Sequence, residues 1–251
     1  LVGSALRSIG VTHLMDAICQ YLPSPGERGK IEAVNTLTQQ QESIEQQASA
    51  PLSALVFKTT ADPYVGKLTY FRVYTGSIYS NSHVWNATTN QAERLGQLFV
   101  LRGKTQEPVP HLIAGDIGGT AKLGATGTGD TLCNKDHPLK LAPVEFPPPC
   151  FSVAVHPKTK EDLDKLGAVL SRLVEEDPTL HLHQEPDTGE TILSGMGDSQ
   201  LDVVTGRMQR KFGVQVLAET PKVPEYKENQ FIIMMEYKHK KQTGGHGQYG
   251  H

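Results

Sequence analysis

The chain has 251 residues, more than one ordinary domain needs, so two or three folded units are expected. Hydrophobic residues make up 37% and charged residues 20%, and the formal net charge is −3; this excludes a generally basic nucleic-acid coat but leaves room for local basic patches. The apolar runs are too short to span a membrane, no secretory signal is recognisable, and Cys19, Cys133 and Cys150 form neither a CxxC pair nor a disulfide framework, so a reducing cytoplasm is the expected setting.

Residues 10–22 read as a helix, with Val11, Leu14, Met15 and Ile18 on one face and Pro23 and Pro25 ending it. The glutamine-rich segment from Thr38 to Ala50 is expected to be a linker or exposed arm, because it carries little apolar area to bury. From Leu52 to Leu141 the texture changes to short strands, such as 54–57, 67–74, 82–85 and 96–101. They are separated by turn signals at Asp62-Pro63, Thr75-Gly76, Asn81-Ser82, Arg102-Gly103, Ala114-Gly115-Asp116 and 127–130, which suggests a small closed β-barrel.

Phe146-Pro147-Pro148-Pro149 is a stiff connector to an α+β region. Strand 151–155 leads to a helix that Thr159 opens, with Leu163, Leu166, Leu170, Leu173 and Val174 on its apolar face. A strand carrying His181 and His183 follows, then a turn at Asp187-Thr188-Gly189 and a return strand from Thr191. Asp198 is expected to cap a second helix with Leu201, Val204, Met208 and Phe212 inside, Gly213 to stop it, and 214–217 to form the last strand. The order β-α-β-β-α-β is the split βαβ, ferredoxin-like unit. A strand-like run at 231–237 precedes the basic 238–241 and a glycine-rich loop from Thr243 to Gly250.

Motifs for chemistry are scarce. Gly103-Lys104-Thr105 supplies the second half of a P-loop, but Leu98 stands where the first glycine belongs, so a β-turn is expected. Residues 245–250 spell GxGxxG, yet polar and basic residues precede them and Gly-Gln-Tyr-Gly is a poor helix start. A close-approaching backbone beside lysines suits contact with RNA phosphates, or else a plain exposed hairpin. His181 and His183 share one side of a strand, but two histidines do not complete a zinc site. Glu175-Glu176-Asp177 sits at a helix C-terminus, where carboxylates are disfavoured; it reads as a solvated end, with a surface that meets positive charge as the alternative. No catalytic signature and no metal set emerge, and an acylphosphatase-like reading is disfavoured because the loop His156-Pro157-Lys158-Thr159 lacks an arginine.

Several stretches resemble, in family order, an interior piece of a bacterial translational GTPase of the elongation factor G type. Gly3-Ser4-Ala5-Leu6 is similar to the last guanine-recognition motif. Asp62-Pro63-Tyr64-Val65-Gly66-Lys67, Arg72-Val73-Tyr74-Thr75-Gly76 and Thr128-Gly129-Asp130 are similar to the second, β-barrel domain. Val155-His156-Pro157, Glu175-Glu176-Asp177-Pro178 and Ile192-Leu193-Ser194-Gly195-Met196-Gly197 resemble the third, and Thr243 to His251 resembles the opening loop of the fourth. The chain departs from the family at Asp198-Ser199-Gln200-Leu201, where Glu-Leu-His-Leu is usual, at His246 in place of a common arginine, at Pro224-Glu225-Tyr226, and in the glutamine-rich segment.

The resemblance implies a multidomain chain: a G-domain remnant and linker over 1–50, a translation-factor β-barrel over 51–143, a ferredoxin-like α+β domain over 147–222, and the start of a fourth domain over 223–251. Both ends look cut from something longer. The implied parent binds GTP with Mg2+, engages ribosomal RNA and proteins in the cytoplasm as a monomer, and drives tRNA–mRNA translocation. In this chain Ser4, Ala5 and Leu6 would be the only nucleotide contacts, no bound cofactor is expected, and GTP should not be hydrolysed. Gly244, Gly245, His246, Gly247 and Gln248 are the expected RNA-proximal residues. A paralogue acting in ribosome recycling or ribosome protection is the alternative, and an independent RNA-binding or phosphatase module is the second.

Overall fold

A computed structural model describes residues 1–62, 66–103, 105–223, 239–241 and 248–250. Leu1–Pro221 forms one compact unit and Lys222–His251 a second.

The first unit opens with a tight turn in which Ser4 and Ile9 exchange backbone hydrogen bonds, both 3.0 Å. Helix α1 (Val11–Tyr21) follows and ends where Leu22 becomes extended ahead of Pro23. Its apolar face forms as the spacing predicts, but none of its residues is buried.

The glutamine-rich segment is not a linker. Strand β1 (Ile31–Asn35) pairs antiparallel with β2 (Gln41–Ile44). Polar composition is overridden here because few apolar side chains are needed: Ile31, Ala33 and Ile44 only have to cover the outside of the barrel at Leu55 and Tyr74. The hairpin is held by Asn35 Nδ2, which donates to Glu42 Oε1 at 2.7 Å, while Glu42 Oε2 lies 2.8 Å from His137 Nε2. The Asn35 bond, with a lesser contribution from His137, holds the Glu42 carboxyl below the usual range.

The barrel strands are β3 (Ser53–Asp62), β4 (Gly66–Thr75), β5 (Ser77–Tyr79), β6 (His83–Asn86), β7 (Gln91–Arg94), β8 (Leu98–Arg102), β9 (Thr105–Val109), β10 (His111–Ile113), β11 (Ile117–Ala121) and β12 (Thr131–Cys133). The main sheet runs β7-β6-β12-β3-β4-β11-β8-β9, and β5 pairs with β10. It curls around one core that includes Ala54, Val56, Phe71, Val73, Leu98 and Leu132. Among the described residues β7 and β9 share no ladder, so the expected closure comes from packing around the core and not from a continuous ring of hydrogen bonds. Gly103 sits at φ 60° in the β8–β9 hairpin, which is the turn expected there. Strand β13 (Leu139–Leu141) joins the edge of β1.

Strand β3 runs five residues beyond its expected end at Phe57. A register shift between Val56 and Lys58 leaves the half-exposed Phe57 unpaired, and such a bulge bends its strand. The bent end carries the residues that meet the next domain.

That domain comprises β14 (Phe151–Pro157), α2 (Lys160–Glu176), β15 (His181–Gln184), β16 (Thr191–Gly195), α3 (Asp198–Arg207) and β17 (Val216–Glu219). Its antiparallel sheet has the order β15-β16-β14-β17, the expected split βαβ topology. Thr159 caps α2, accepting a hydrogen bond from Asp162 N at 3.2 Å. Three local expectations are corrected. Leu163 points outward and Val169 takes a place in the core. Gly197, not Asp198, is the N-cap of α3, and Asp198 is its first helical residue. The last strand begins at Val216, because Gly213 turns the chain at φ 69° and Val214 is drawn into the core before pairing starts. Between α3 and Gly213 the helix widens into a π turn over Met208–Phe212.

In the second unit, β18 (His239–Lys241) pairs antiparallel with β19 (Gln248–Gly250). The expected strand at 231–237 lies outside the described residues.

Candidate functional site at the barrel–α+β junction

The acidic end of α2 lies against the bent end of β3. Thr59 Oγ1 donates to the carbonyl of Glu175 at 2.7 Å, and Lys67 Nζ is 2.8 Å from Glu175 Oε1. One residue on, Glu176 accepts a hydrogen bond from the backbone N–H of Ala61. The same carboxylate pairs with Lys211 Nζ at 2.8 Å and Arg207 Nη1 at 3.3 Å, both from the helical segment 198–212. Its side chain is only 7% exposed, whereas that of Glu175 is 54% exposed. Beside these contacts lies a cleft of about 160 Å³, lined by residues including Thr60, Lys67, Arg172 and Glu175.

This corrects the reading of Glu175-Glu176-Asp177 as a solvated helix end. Carboxylates at the negative end of a helix dipole are unfavourable by themselves. A carboxylate taken out of water also needs hydrogen bonds and opposite charge around it. Both conditions are met by donors that the barrel and the α+β domain each supply. The local conflict in the sequence was the visible trace of a contact with distant residues.

Asp177 completes the corner. Its Oδ1 accepts from Thr179 N at 3.0 Å and Thr179 Oγ1 at 2.6 Å, and its Oδ2 accepts from Gln200 Nε2 at 2.9 Å. Gln200 Nε2 also reaches Thr179 Oγ1 at 2.8 Å, and Gln200 Oε1 accepts from Met196 N at 2.6 Å. Gln200, one of the departures from the family pattern, thus ties the turn after α2 to the loop before α3. Replacing it with alanine leaves several polar groups without their partner. Gln200→Ala is expected to cost about 1–3 kcal/mol in urea unfolding of the α+β domain.

The nucleotide-contact candidates Ser4, Ala5 and Leu6 lie together in the turn before α1. Ser4 Oγ accepts from Arg7 N at 3.4 Å, and Leu6 is 97% exposed, so the tip of the turn is open to a partner. They do not join the junction residues. Of the RNA-proximal candidates, Gly244, Gly245, His246 and Gly247 lie outside the described residues. Gln248 begins β19, so the GxGxxG run leads into a strand and opens no helix. The acylphosphatase-like loop is spent on structure: Thr159 caps α2, Lys158 N donates to Gln215 O at 3.1 Å, and His156 Nε2 lies 3.6 Å from Glu190 Oε1. His181 and His183 are exposed, and among the described residues no group of three or more His, Cys, Asp or Glu converges as a metal site. No described helix is long and apolar enough to cross a membrane. What the arrangement offers chemically is a charge-matched joint.

Residues 51–135 match the family model for Elongation factor G domain 2, and residues 146–220 match that for Elongation Factor G, domain III. Together the two spans cover more than half of the chain. A crystal structure of a protein from Thermus thermophilus is similar over 98% of this chain, at 33% identity and a TM-score of 0.70. The chain spans only 34% of that protein.

Proposed function

Because this chain belongs to the elongation factor G family, we propose that it supplies the barrel and α+β limbs of a translational GTPase that promotes tRNA–mRNA translocation. The observation that carries this reading is the succession of the two family domains and their joining through a charge-matched junction. Limbs of this kind do mechanical work: a nucleotide-dependent change elsewhere is transmitted by bodies that keep their shape.

The partner implied is the ribosome, met by a cytoplasmic monomer. The segment containing Gly244, Gly245, His246, Gly247 and Gln248 is the proposed point of closest approach to RNA, through the near contact that side-chain-free glycines permit and through the neighbouring lysines. GTP and Mg2+ belong to the whole protein. The residues present fit the base alone: the exposed turn of Ser4, Ala5 and Leu6 can seat guanine by its backbone, and the chain carries no P-loop for the phosphates. GTP bound in the parent supplies the energy of hydrolysis; this chain orients the base and passes on the movement.

The test is a translocation assay with the whole protein. Factor-dependent advance of tRNA and mRNA by one codon is the expected result, with no GTP turnover by residues 1–251 alone. Absence of translocation together with ribosome splitting would reassign the protein to recycling. Rescue of antibiotic-stalled ribosomes without translocation would reassign it to ribosome protection. GTP hydrolysis by residues 1–251 would overturn the limb reading itself.

A further inference from the structure

From the junction geometry we infer that Glu176 is an interdomain latch, a single carboxylate that makes the barrel and the α+β domain tumble as one body. The inference goes beyond the proposed function and stands without it, since it concerns the free chain in solution and needs no ribosome.

Three elements converge on this side chain. Strand β3 supplies a backbone N–H at Ala61, α2 supplies the carboxylate, and the segment after α3 supplies Lys211, with Arg207 beside it. The barrel donor is a main-chain group on a strand whose bend is fixed by the bulge at Phe57, so it cannot follow the carboxylate if the domains separate. The cations come from the α+β side and hold the carboxylate in place from behind. Glu176 is therefore pre-positioned by one domain and read by the other.

The neighbouring contacts differ in kind. Lys67–Glu175 pairs with a carboxylate that is half exposed, and such pairs contribute little in water. Thr59 Oγ1 to the Glu175 carbonyl is a neutral bond at the same seam. The Glu176 side chain is nearly buried, and its bonds to Ala61 N and Lys211 Nζ are part-buried and charge-assisted, hence less screened by salt than the Lys67–Glu175 pair. Losing the carboxylate removes the partner of the Ala61 N–H, of Lys211 and of the more exposed Arg207 at once, whereas losing the Thr59 or Lys67 contact leaves Glu176 with all three.

The experiment is 15N relaxation on the 251-residue chain, read separately for barrel and α+β amides. The wild type is expected to give one rotational correlation time for both. Glu176→Ala is expected to lose it, with each domain reporting its own shorter time while its spectrum stays native-like. Should Glu176→Ala unfold the α+β domain, the combined Thr59→Val and Lys67→Met change attacks the seam from the barrel side. That pair is expected to keep the shared time, because Glu176 still holds Ala61. Two separate times in the wild type would overturn the latch. So would a shared time that survives Glu176→Ala with both domains folded, or one lost in the Thr59→Val and Lys67→Met variant.

Discussion

Gly76→Ala is expected to destabilise the barrel by about 2–4 kcal/mol, because it combines a backbone conformation that disfavours side chains with overpacking. Gly76 lies between β4 and β5 at φ 76°. A Cβ there would stand 2.6 Å from both Leu52 Cα and Leu52 N and 2.8 Å from Ala50 O. These are backbone atoms and cannot rotate away. The surroundings are also pinned, since Gly76 N donates to Gln47 O at 2.8 Å and its carbonyl accepts from Ala114 N at 3.0 Å. Relief of the clash must therefore shift the start of β3 or break the bonds that tie residues 47–50 to the barrel. The measurement is urea unfolding followed by the fluorescence of Trp85, the only tryptophan, which sits on β6. An unchanged midpoint would show that residues 47–52 are loosely held. Gly103→Ala makes an informative contrast: its φ is 60°, but among the described residues other than its chain neighbours nothing lies within 4 Å of an added Cβ, so only the conformational part of the cost, about 1 kcal/mol, is expected.

The regular elements were legible wherever one physical signal dominated. The helical spacing of Leu166, Leu170 and Leu173 and the cap at Thr159 placed α2, and the stop at Gly213 followed from glycine's access to positive φ. The β-branched and aromatic content of 67–74 marked β4, and in the structure Phe71 and Val73 face the core. The glutamine-rich segment misled because its stability is borrowed. Ile31, Ala33 and Ile44 are too few to specify a sheet alone, and become sufficient when packed with Leu139 and Leu141 of β13 and with Leu55 and Tyr74 of the barrel. Leu163 misled for the opposite reason: it fits the helical stripe, but α2 presents Leu166, Val169, Leu170 and Leu173 to the core and leaves Leu163 exposed. The candidate site was the least legible part. Contacts of Glu176 with Ala61, Arg207 and Lys211 join positions far apart in the chain, which no local pattern encodes. Only the misplacement of acidic residues at the end of α2 hinted at them. Gln200 was visible as a departure from the family pattern, but its role needed the positions of Asp177, Thr179 and Met196.

Leu193→Ala is expected to remove about 2–5 kcal/mol from the α+β domain, the range for a leucine truncated in a closed core. Leu193 is fully buried on β16, opposite Val153 of β14 and Leu182 of β15, and sits in the cluster that α2 and α3 cover. Central strands collapse poorly around a deletion, because register on both sides is fixed by hydrogen bonds. Two probes separate this domain from the barrel. Far-UV circular dichroism near the helical minimum is weighted to α2 and α3, while Trp85 reports on the barrel. The barrel core contains no residue of the α+β domain, so its own packing is untouched. It loses only what the junction gave it once the partner unfolds: the bonds from Thr59 and Ala61 and the Lys67 pair. The dichroism midpoint is therefore expected to fall by the full effect, and the Trp85 midpoint to fall by a smaller but measurable amount. Equal shifts would mean that the two domains unfold as one cooperative unit, with more coupling than the junction contacts account for. No shift at Trp85 would mean that the junction adds nothing to barrel stability.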